Sequence, residues 1–265
     1  MIIPISNPED PRIAPFRDIR ERDLVGRQGH FIAEGEVVLR VLLASRHRPL
    51  ALLIAEKRLE PLAPLLTGLP DDTPIYSAQQ PVLDAIAGFP LHRGILALAA
   101  RAPLPDATQL LAGCAPRSIV MVLCGIANHD NMGGLFRNAA AFGVEAVLLD
   151  QQCCDPFYRK AIRVSVGGCL RVPFTRWDAG TDILALLAAQ GFSAVSLSPR
   201  GKMPLARLTR PDRAAVLLGT EGEGLPAALL ERSHSVSIPM AAGFDSLNVA
   251  TTSGIVLHHL ACGQL

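Results

Sequence analysis

The sequence predicts an α/β protein of two parts: a parallel β-sheet domain at the C-terminal end, preceded by a small α/β domain. Apolar residues make up 49% of the 265 residues and charged residues 18%, which is enough to fill a core and excludes wholesale disorder. Residues 118–126 form one continuous apolar run, as expected of a strand buried on both faces. Beyond this run, apolar strands alternate with helical patterns, and strands joined by helices form parallel sheets.

Composition excludes several classes of protein. No stretch approaches the roughly 18 uncharged apolar residues of a membrane-spanning helix, and a start that carries Glu9 and Asp10 among prolines is unlike a signal peptide. The six cysteines form no CxxC pair and no Cys/His set with zinc spacing. We therefore expect free thiols, no metal site, no membrane association and a cytoplasmic location. A net charge of +1 excludes a histone-like polycation but not a nucleic-acid partner.

The smaller domain is predicted to span residues 1–104. Helical spacing of apolar residues, or alternating charge, predicts helices at 16–27, 36–45, 61–66 and 80–86. Short apolar runs predict strands at 50–55, 74–76 and 95–100. In the second helix we expect Val37, Leu42 and Leu43 to share one side. Pro103 and Pro105 then indicate a linker, which we set at residues 105–117.

The larger domain is predicted to span residues 118–265. Apolar runs predict strands at 118–126, 146–149, 170–174, 194–197 and 214–218. Helical patterns occupy 133–142, 181–190 and a C-terminal segment that ends near Cys262. Gly143 and Gly191 follow the first two of these helices, as helix-ending glycines do.

A first candidate site lies in the loop Asn128–Arg137, NHDNMGGLFR, directly after the strand 118–126. Ligands of open α/β sheets bind beyond the carboxyl ends of the strands. Asn131 offers amide groups at that edge, and Gly133-Gly134 are predicted to open the following helix. Arg137 lies about one turn into that helix, where it could face back over the loop. A plain turn with a surface arginine is the alternative.

A second candidate is Gly219–Gly224, GTEGEG, between the strand 214–218 and Pro226. Its glycines let the backbone approach a ligand closely. The spacing is not GxGxxG, and Glu221 and Glu223 would repel a pyrophosphate. The loop therefore suits a neutral or cationic ligand, with a tight turn as the alternative.

A third candidate, residues 238–249 (IPMAAGFDSLNV), leads into the C-terminal helix. Ser246 is predicted to be the N-cap of that helix, with Asn248 in its first turn. The free N–H groups of a helix start form a polar ligand site. A capped helix without a ligand is the alternative.

Taken together and in this order, the three segments resemble the three signature motifs of the SpoU (TrmH-type) RNA ribose 2′-O-methyltransferases of the SPOUT class. The matching sequences are NHDNxGxxxRNAxxFG, LLGTEGEGL and IPMxxxxxSLNVAxxxGI. Between them, RKAIRVSVGG matches the family pattern K-x-x-R-x-S-x-G. The resemblance covers about residues 118–262. The first hundred residues look like the family's substrate-binding extension, through FxxEG at 31–35 and HRGI at 92–95. His129 and Thr220 depart from the residues common in the family, at loop positions that we expect to tolerate change, and neither departure removes a group with an assigned role.

This resemblance implies methyl transfer from S-adenosylmethionine to a ribose 2′-hydroxyl. It also implies a C-terminal trefoil knot, a rare exception to unknotted topology, and a homodimer through residues 247–260. The cofactor would lie against Gly219, Thr220, Glu221, Ile238, Met240, Ser246 and Leu247.

The implied catalytic residues are Asn131, Arg137, Glu221 and Asn248. A guanidinium stays protonated with a pKa above roughly 12, so Arg137 is a poor proton acceptor. We expect Arg137 instead to orient the 2′-oxygen and a neighbouring phosphate and to stabilise developing negative charge. Asn131 and Asn248 would hold the ribose and the Arg137 side chain.

Structured RNA is the expected substrate, with rRNA favoured over tRNA. The predicted RNA-binding cluster beside the site is Arg159, Lys160 and Arg163, and the extension adds Arg17, Arg20, Arg22, Arg46 and Arg48. An ordinary solvated surface is the alternative for these arginines. A non-catalytic RNA-binding protein that retains the fold is the rival function. An enzyme acting on a small metabolite is disfavoured, because no metal set, catalytic triad or phosphate loop stands out.

Overall fold

The computed structural model describes residues 2–17, 29–88, 91–220, 222–241 and 245–262. The chain forms two compact units, of which the first contains Met1–Pro103 and Phe157–Arg171 and the second contains Leu104–Pro156 and Val172–Leu265. This division differs from the predicted one, since the sequence placed residues 157–171 in the C-terminal domain.

The strands in the described residues are β1 (Ile2–Pro4), β2 (His30–Glu34), β3 (Arg48–Ala55), β4 (Ile75–Ala78), β5 (Ile95–Ala100), β6 (Ser118–Leu123), β7 (Ala146–Leu149), β8 (Phe174–Arg176), β9 (Ser193–Leu197), β10 (Met203–Pro204), β11 (Arg213–Leu218) and β12 (His234–Ser237).

The α-helices there are α1 (Glu36–Leu43), α2 (Leu59–Leu66), α3 (Gln80–Ala87), α4 (Ala107–Ala112), α5 (His129–Ala141), α6 (Arg159–Val164), α7 (Gly168–Arg171), α8 (Ile183–Ala189), α9 (Ala227–Glu231) and α10 (Val249–Cys262). Short 3-10 helices lie at Pro11–Phe16, Glu56–Arg58 and Leu205–Arg207.

The first unit is built on a mixed five-stranded sheet in the order β1-β4-β3-β5-β2. β4 pairs in parallel with β1 and β3, whereas β5 pairs antiparallel with β3 and β2. The ring of Phe157, from the segment that joins this unit, stacks on Phe31 at 5.0 Å between ring centroids. In α1 the buried side chains are Val38, Leu39 and Leu42. Val37 is 55% exposed whereas Leu42 is buried, so the prediction that Val37, Leu42 and Leu43 share one side is wrong.

Two local predictions need correction, and a third falls mostly outside the described residues. The predicted strand 170–174 begins only at Phe174, because residues 168–171 form a helical turn that buries Cys169 and Leu170; a short apolar run does not distinguish a strand from a buried helix. The predicted linker contains α4, whose first N–H groups bond to the Asp106 carboxylate. The predicted helix 16–27 falls mostly on residues 18–28, outside the described part of the chain.

The second unit contains a seven-stranded sheet in the order β10-β12-β9-β11-β6-β7-β8, and every neighbouring pair is parallel. β6 lies inside the sheet with all six residues buried, as its apolar run predicted. On one face Val120 and Val122 pack with Leu184 and Leu187 of α8. The parallel α/β architecture is therefore confirmed, and it aligns the carboxyl ends of β12, β9, β11 and β6 along one edge.

All six cysteines are free thiols. Burial raises the pKa of Cys124 to about 12 and that of Cys154 to about 11, and it also raises the pKa of Cys153. These three thiols are therefore protonated at neutral pH and poorly nucleophilic. No helix among the described residues is long and apolar enough to cross a membrane.

Candidate functional site

A cavity of about 1100 Å³ opens at the carboxyl edge of the second unit's sheet. Its walls are the segments that follow β9, β11 and β12, three neighbouring strands of that sheet. Residues 245–247, with Val249 and Thr252 of α10, close another side. The cavity therefore lies where ligands bind in open parallel sheets.

The structure places the predicted cofactor residues around this one cavity. Its lining includes Gly219, Thr220, Ile238, Met240, Ser246 and Leu247. Glu221, predicted for both cofactor binding and catalysis, lies outside the described residues.

The GTEGEG segment is both a tight turn and a cavity wall. The Gly224 N–H donates to the Thr220 carbonyl at 3.1 Å, which folds the loop back on itself. A Cβ at Gly219 would lie 2.3 Å from the carbonyl carbon of Gly224, so no side chain fits at this position. A tight turn and a ligand-binding loop, the two alternatives for this segment, therefore do not exclude each other.

Sequence reasoning missed the wall formed by Ser198, Pro199 and Arg200. This turn is fixed by bonds from the Gly201 N–H to the Ser198 carbonyl, at 2.9 Å, and from the Ser198 N–H to the Val236 carbonyl, at 3.1 Å. The signal that could have found it is its position directly after the predicted strand 194–197.

Helix α5, which carries the first motif, starts earlier than predicted. Asn128 is its N-cap, and the Asn128 Oδ1 accepts hydrogen bonds from the N–H groups of Asp130 at 2.7 Å and Asn131 at 3.3 Å. Asn131 is therefore a buried residue of the first turn, not of the loop. Gly133 and Gly134 lie inside the helix, which corrects their predicted role of opening it.

The two predicted catalytic asparagines meet. The Asn248 Nδ2 donates to the Asn131 Oδ1 at 2.8 Å. The Asn248 Oδ1 accepts from the N–H groups of Ala250, at 2.9 Å, and Thr251, at 3.3 Å. Asn248 is thus the N-cap of α10, and the prediction that Ser246 caps this helix is wrong.

A third asparagine, Asn138, joins the same two helices. Its Nδ2 donates to the Ala250 carbonyl at 2.7 Å and to the Ser253 Oγ at 2.8 Å. Asn138 belongs to the first motif, but its role could not be read from the motif alone. Its position two turns after Asn131, on the same side of the helix, was the available signal.

Arg137 is exposed and does not line the cavity. No hydrogen bond or ion pair engages its guanidinium within the described ranges. The expectation that Asn131 and Asn248 hold this side chain is therefore wrong for this structure. The guanidinium is available to a ligand.

The predicted RNA-binding residues Arg159, Lys160 and Arg163 belong to the first unit, on α6. Lys160 and Arg163 are exposed, and Arg163 Nη1 lies 4.0 Å from the Oε2 of the buried Glu34. In the extension, Arg17 pairs with Glu9 and Arg48 with Asp72. Arg46 is exposed.

Arg20 and Arg22 lie outside the described residues. The part of the chain that the structure describes contains no group of three or more His, Cys, Asp or Glu side chains placed to hold a metal ion.

Comparison with known proteins agrees with this architecture. Residues 118–258 match the model of the SpoU rRNA Methylase family. An uncharacterized tRNA/rRNA methyltransferase of Mycobacterium tuberculosis is 40% identical over 98% of this chain and 94% of that protein. An AdoMet-bound rRNA methyltransferase from Sinorhizobium meliloti superposes with a TM-score of 0.81 at 20% identity, over 100% of this chain and 99% of that one. An RNA 2′-O ribose methyltransferase superposes with a TM-score of 0.79 at 24% identity, over 98% of both chains.

Proposed function

Because the chain belongs to the SpoU rRNA Methylase family, we propose that it transfers a methyl group from S-adenosylmethionine to a ribose 2′-hydroxyl of structured RNA, with rRNA favoured over tRNA. The observation that carries this proposal is the cavity, which gathers the residues of two of the three motifs. The names of two similar structures, one with AdoMet bound and one acting on the ribose 2′-oxygen, support the cofactor and the acceptor atom.

The residues around the cavity fit the proposed cofactor. Its volume of about 1100 Å³ is ample for a molecule of this size. Leu218, Ile238 and Leu247 offer apolar surface for an adenine ring. The acidic side chains of Glu223 and Asp245 suit a ligand that carries a cationic sulfonium and an ammonium group.

The cofactor supplies an activated methyl group, so the protein's task is mainly to position the acceptor oxygen in line with it. The Arg137 guanidinium donates hydrogen bonds to the 2′-oxygen and to an adjacent phosphate and stabilises the negative charge that develops there. The proton leaves through the phosphate or water. Asn131 and Asn248 act indirectly in this scheme, because they join the helix of Arg137 to the helix that lines the cavity. For Glu221 we retain the two roles that the family resemblance implies, a contact to the cofactor and a part in catalysis.

We place a trefoil knot in the chain around the cavity and a homodimer interface on α10, where Ile255 is 39% exposed. The first unit binds RNA through Arg159, Lys160 and Arg163. The free thiols support a cytoplasmic location.

The test is isothermal titration of the full chain with S-adenosylmethionine, comparing wild type, Ser246→Trp and Thr181→Trp. Ser246 is exposed and lines the cavity, so an indole there should obstruct part of the cavity without disturbing the core. Thr181 is also exposed but lies outside the cavity, which makes Thr181→Trp a matched control. Saturable binding by wild type and the control, lost in Ser246→Trp, supports a cofactor enzyme.

Wild-type protein that binds S-adenosylmethionine neither alone nor with total RNA contradicts the proposal and favours the non-catalytic RNA-binding protein. Where binding occurs, methyl-labelled cofactor and total RNA identify the product. Label in 2′-O-methylnucleosides supports the acceptor, whereas label in methylated bases contradicts it.

A further inference from the structure

The loop after β7, residues 150–154, is held rigidly at the carboxyl edge of the sheet. The Asp150 carboxylate accepts hydrogen bonds from the N–H groups of Gly125 at 2.8 Å, Gln152 at 3.0 Å and Cys153 at 2.9 Å. The Arg176 guanidinium donates to the carbonyls of Asp150 and Cys153, at 2.5 and 2.9 Å. This loop is therefore fixed from both sides, and through Gly125 it is bonded to the segment that leads into α5.

Gln152 is an exposed side chain of this loop that lies near the cavity. Its Oε1 lies 3.8 Å from the position of a Cβ at Gly125, and the Thr220 Cγ2 lies 3.3 Å from the same point. Thr220 lines the cavity, so the Gln152 amide is at most about 7 Å from a cavity wall, by addition of these two distances. The amide makes no hydrogen bond within the part of the chain that the structure describes.

The neighbouring Gln151 differs in one respect. It is also exposed, but its Nε2 donates to the Trp177 carbonyl at 2.6 Å. Gln151 therefore fixes the loop, whereas the Gln152 amide can bind a ligand.

We infer that Gln152 hydrogen-bonds the base of the nucleotide whose ribose is methylated, and so determines which nucleotide is accepted. This inference rests on the proposed function, which brings the target ribose to the cavity mouth. A primary amide offers two donors and an acceptor. Proteins read looped-out RNA bases by such hydrogen bonds to their Watson–Crick edges. A rigid loop loses little entropy when it makes this contact, which favours selectivity.

The test compares Gln152→Ala, Gln152→Glu and the matched control Gln151→Ala as full-length proteins. Each is incubated with methyl-labelled S-adenosylmethionine and total RNA from cells that lack the gene for this chain. The RNA is digested to nucleosides, and the four 2′-O-methylnucleosides are separated and counted.

We expect Gln152→Ala to lower kcat/KM at the wild-type nucleotide by about 10- to 100-fold, the discrimination of one good bidentate base contact. Affinity for S-adenosylmethionine stays unchanged, which a merely structural role for Gln152 does not predict. Gln152→Glu offers only acceptors, so we expect it to shift label toward cytidine, adenosine and guanosine, whose bases carry amino donors, and away from uridine. Gln151→Ala keeps the wild-type pattern, because the bonds of the Asp150 carboxylate and the Arg176 guanidinium still hold the loop.

Wild-type rate and nucleoside pattern in both Gln152 variants overturn the inference while leaving the proposed function intact. Equal losses in Gln152→Ala and Gln151→Ala also overturn it, because they show that the loop matters and the free amide does not. A wild-type enzyme that yields no 2′-O-methylnucleoside overturns the proposed function and this inference with it.

Discussion

Asn248 and Asn131, 117 residues apart in the chain, are joined by a hydrogen bond of 2.8 Å from the Asn248 Nδ2 to the Asn131 Oδ1. The same Asn248 side chain caps α10 through its Oδ1. One amide therefore both starts the C-terminal helix and ties it to the helix of Arg137. The helix start that closes one side of the cavity is thereby fixed relative to that arginine's helix.

We expect Asn248→Ala to lower the free energy of unfolding by about 2 kcal/mol, as it loses a helix cap and a hydrogen bond of roughly 1 kcal/mol each. Asn248→Asp keeps the capping oxygen but loses the donor to Asn131, so its loss should be near half of that. Urea unfolding of the three proteins measures the difference. Equal stability of Asn248→Ala and wild type contradicts this account.

Close approach of the same two helices at Gly134 leads to a second prediction. A Cβ at Gly134 would lie 2.6 Å from the Cβ of Ala250. Gly134→Ala should therefore lower the free energy of unfolding by about 1–3 kcal/mol, the usual cost of overpacking. The control is the double variant Gly134→Ala with Ala250→Gly, which removes the clash and should recover most of the loss. Additive losses in the double variant exclude a steric cause.

Most strands of the parallel sheet could be predicted because each is a short apolar run. β7 (Ala146–Leu149) has the predicted bounds, and the predictions for β6, β9 and β11 differ from the structure by at most a few residues. β12 (His234–Ser237) was missed because only Val236 among its four residues is buried, which leaves a polar sequence without a strand pattern. The family resemblance carried by the three motifs is confirmed by the family match over residues 118–258.

Helix starts and long-range contacts were harder to predict. Asp245, Ser246 and Asn248 are all residue types that cap helices, so the local sequence does not choose among them. Asn248 is the one that contacts Asn131, and this contact requires the folded sheet. The same holds for Asn138 and Gln152, whose positions depend on segments distant in the chain.

For Arg137 the proposed chemistry gives a direct prediction. Arg137→Lys keeps the positive charge but loses the planar guanidinium that contacts two oxygens at once. We expect kcat to fall by about 100-fold or more, as when one oxyanion donor is removed, while affinity for S-adenosylmethionine is unchanged because Arg137 does not line the cavity. Single-turnover methylation and titration calorimetry measure the two effects. Near-normal turnover would exclude the assigned role.

His47 makes the stability of the first unit depend on pH. Burial, followed by the charges of Arg46 and Arg101, lowers the pKa of His47 from 6.5 to about 4. Between these values the unfolded chain binds a proton that the folded chain does not. The free energy of unfolding therefore falls as the pH drops from 6.5 to 4, by about 2–3 kcal/mol in total.

The variant His47→Gln should remove this dependence. The glutamine can still accept a hydrogen bond from the Ala102 N–H, which the His47 Nδ1 accepts at 3.0 Å in the wild type. Thermal unfolding of both proteins at several pH values provides the measurement. Parallel melting-temperature curves for the two proteins between pH 6.5 and pH 4 exclude His47 as the cause.

Arg163 and Lys160 lie three residues apart on α6, and their substitution should have different consequences. Arg163 faces the Oε2 of Glu34 at 4.0 Å. Glu34 is 5% exposed, and among the described residues nothing donates a hydrogen bond to this oxygen. Arg163→Ala leaves this buried carboxylate without its counter-charge, and we expect the free energy of unfolding to fall by about 1–2 kcal/mol. Adding Glu34→Gln should restore most of that stability. Lys160→Ala should change stability by less than about 0.5 kcal/mol.

The salt dependence of RNA binding also distinguishes Lys160 from Arg163. If Lys160 contacts a phosphate, Lys160→Ala should weaken RNA binding. It should also make the negative slope of log K against log salt concentration shallower by about 1. Filter binding at four salt concentrations gives this slope for wild type, Lys160→Ala and the double variant of Glu34 and Arg163. An unchanged slope in Lys160→Ala argues against a phosphate contact at this position. A shallower slope in the double variant Glu34→Gln with Arg163→Ala assigns Arg163 an RNA contact in addition to its pairing with Glu34.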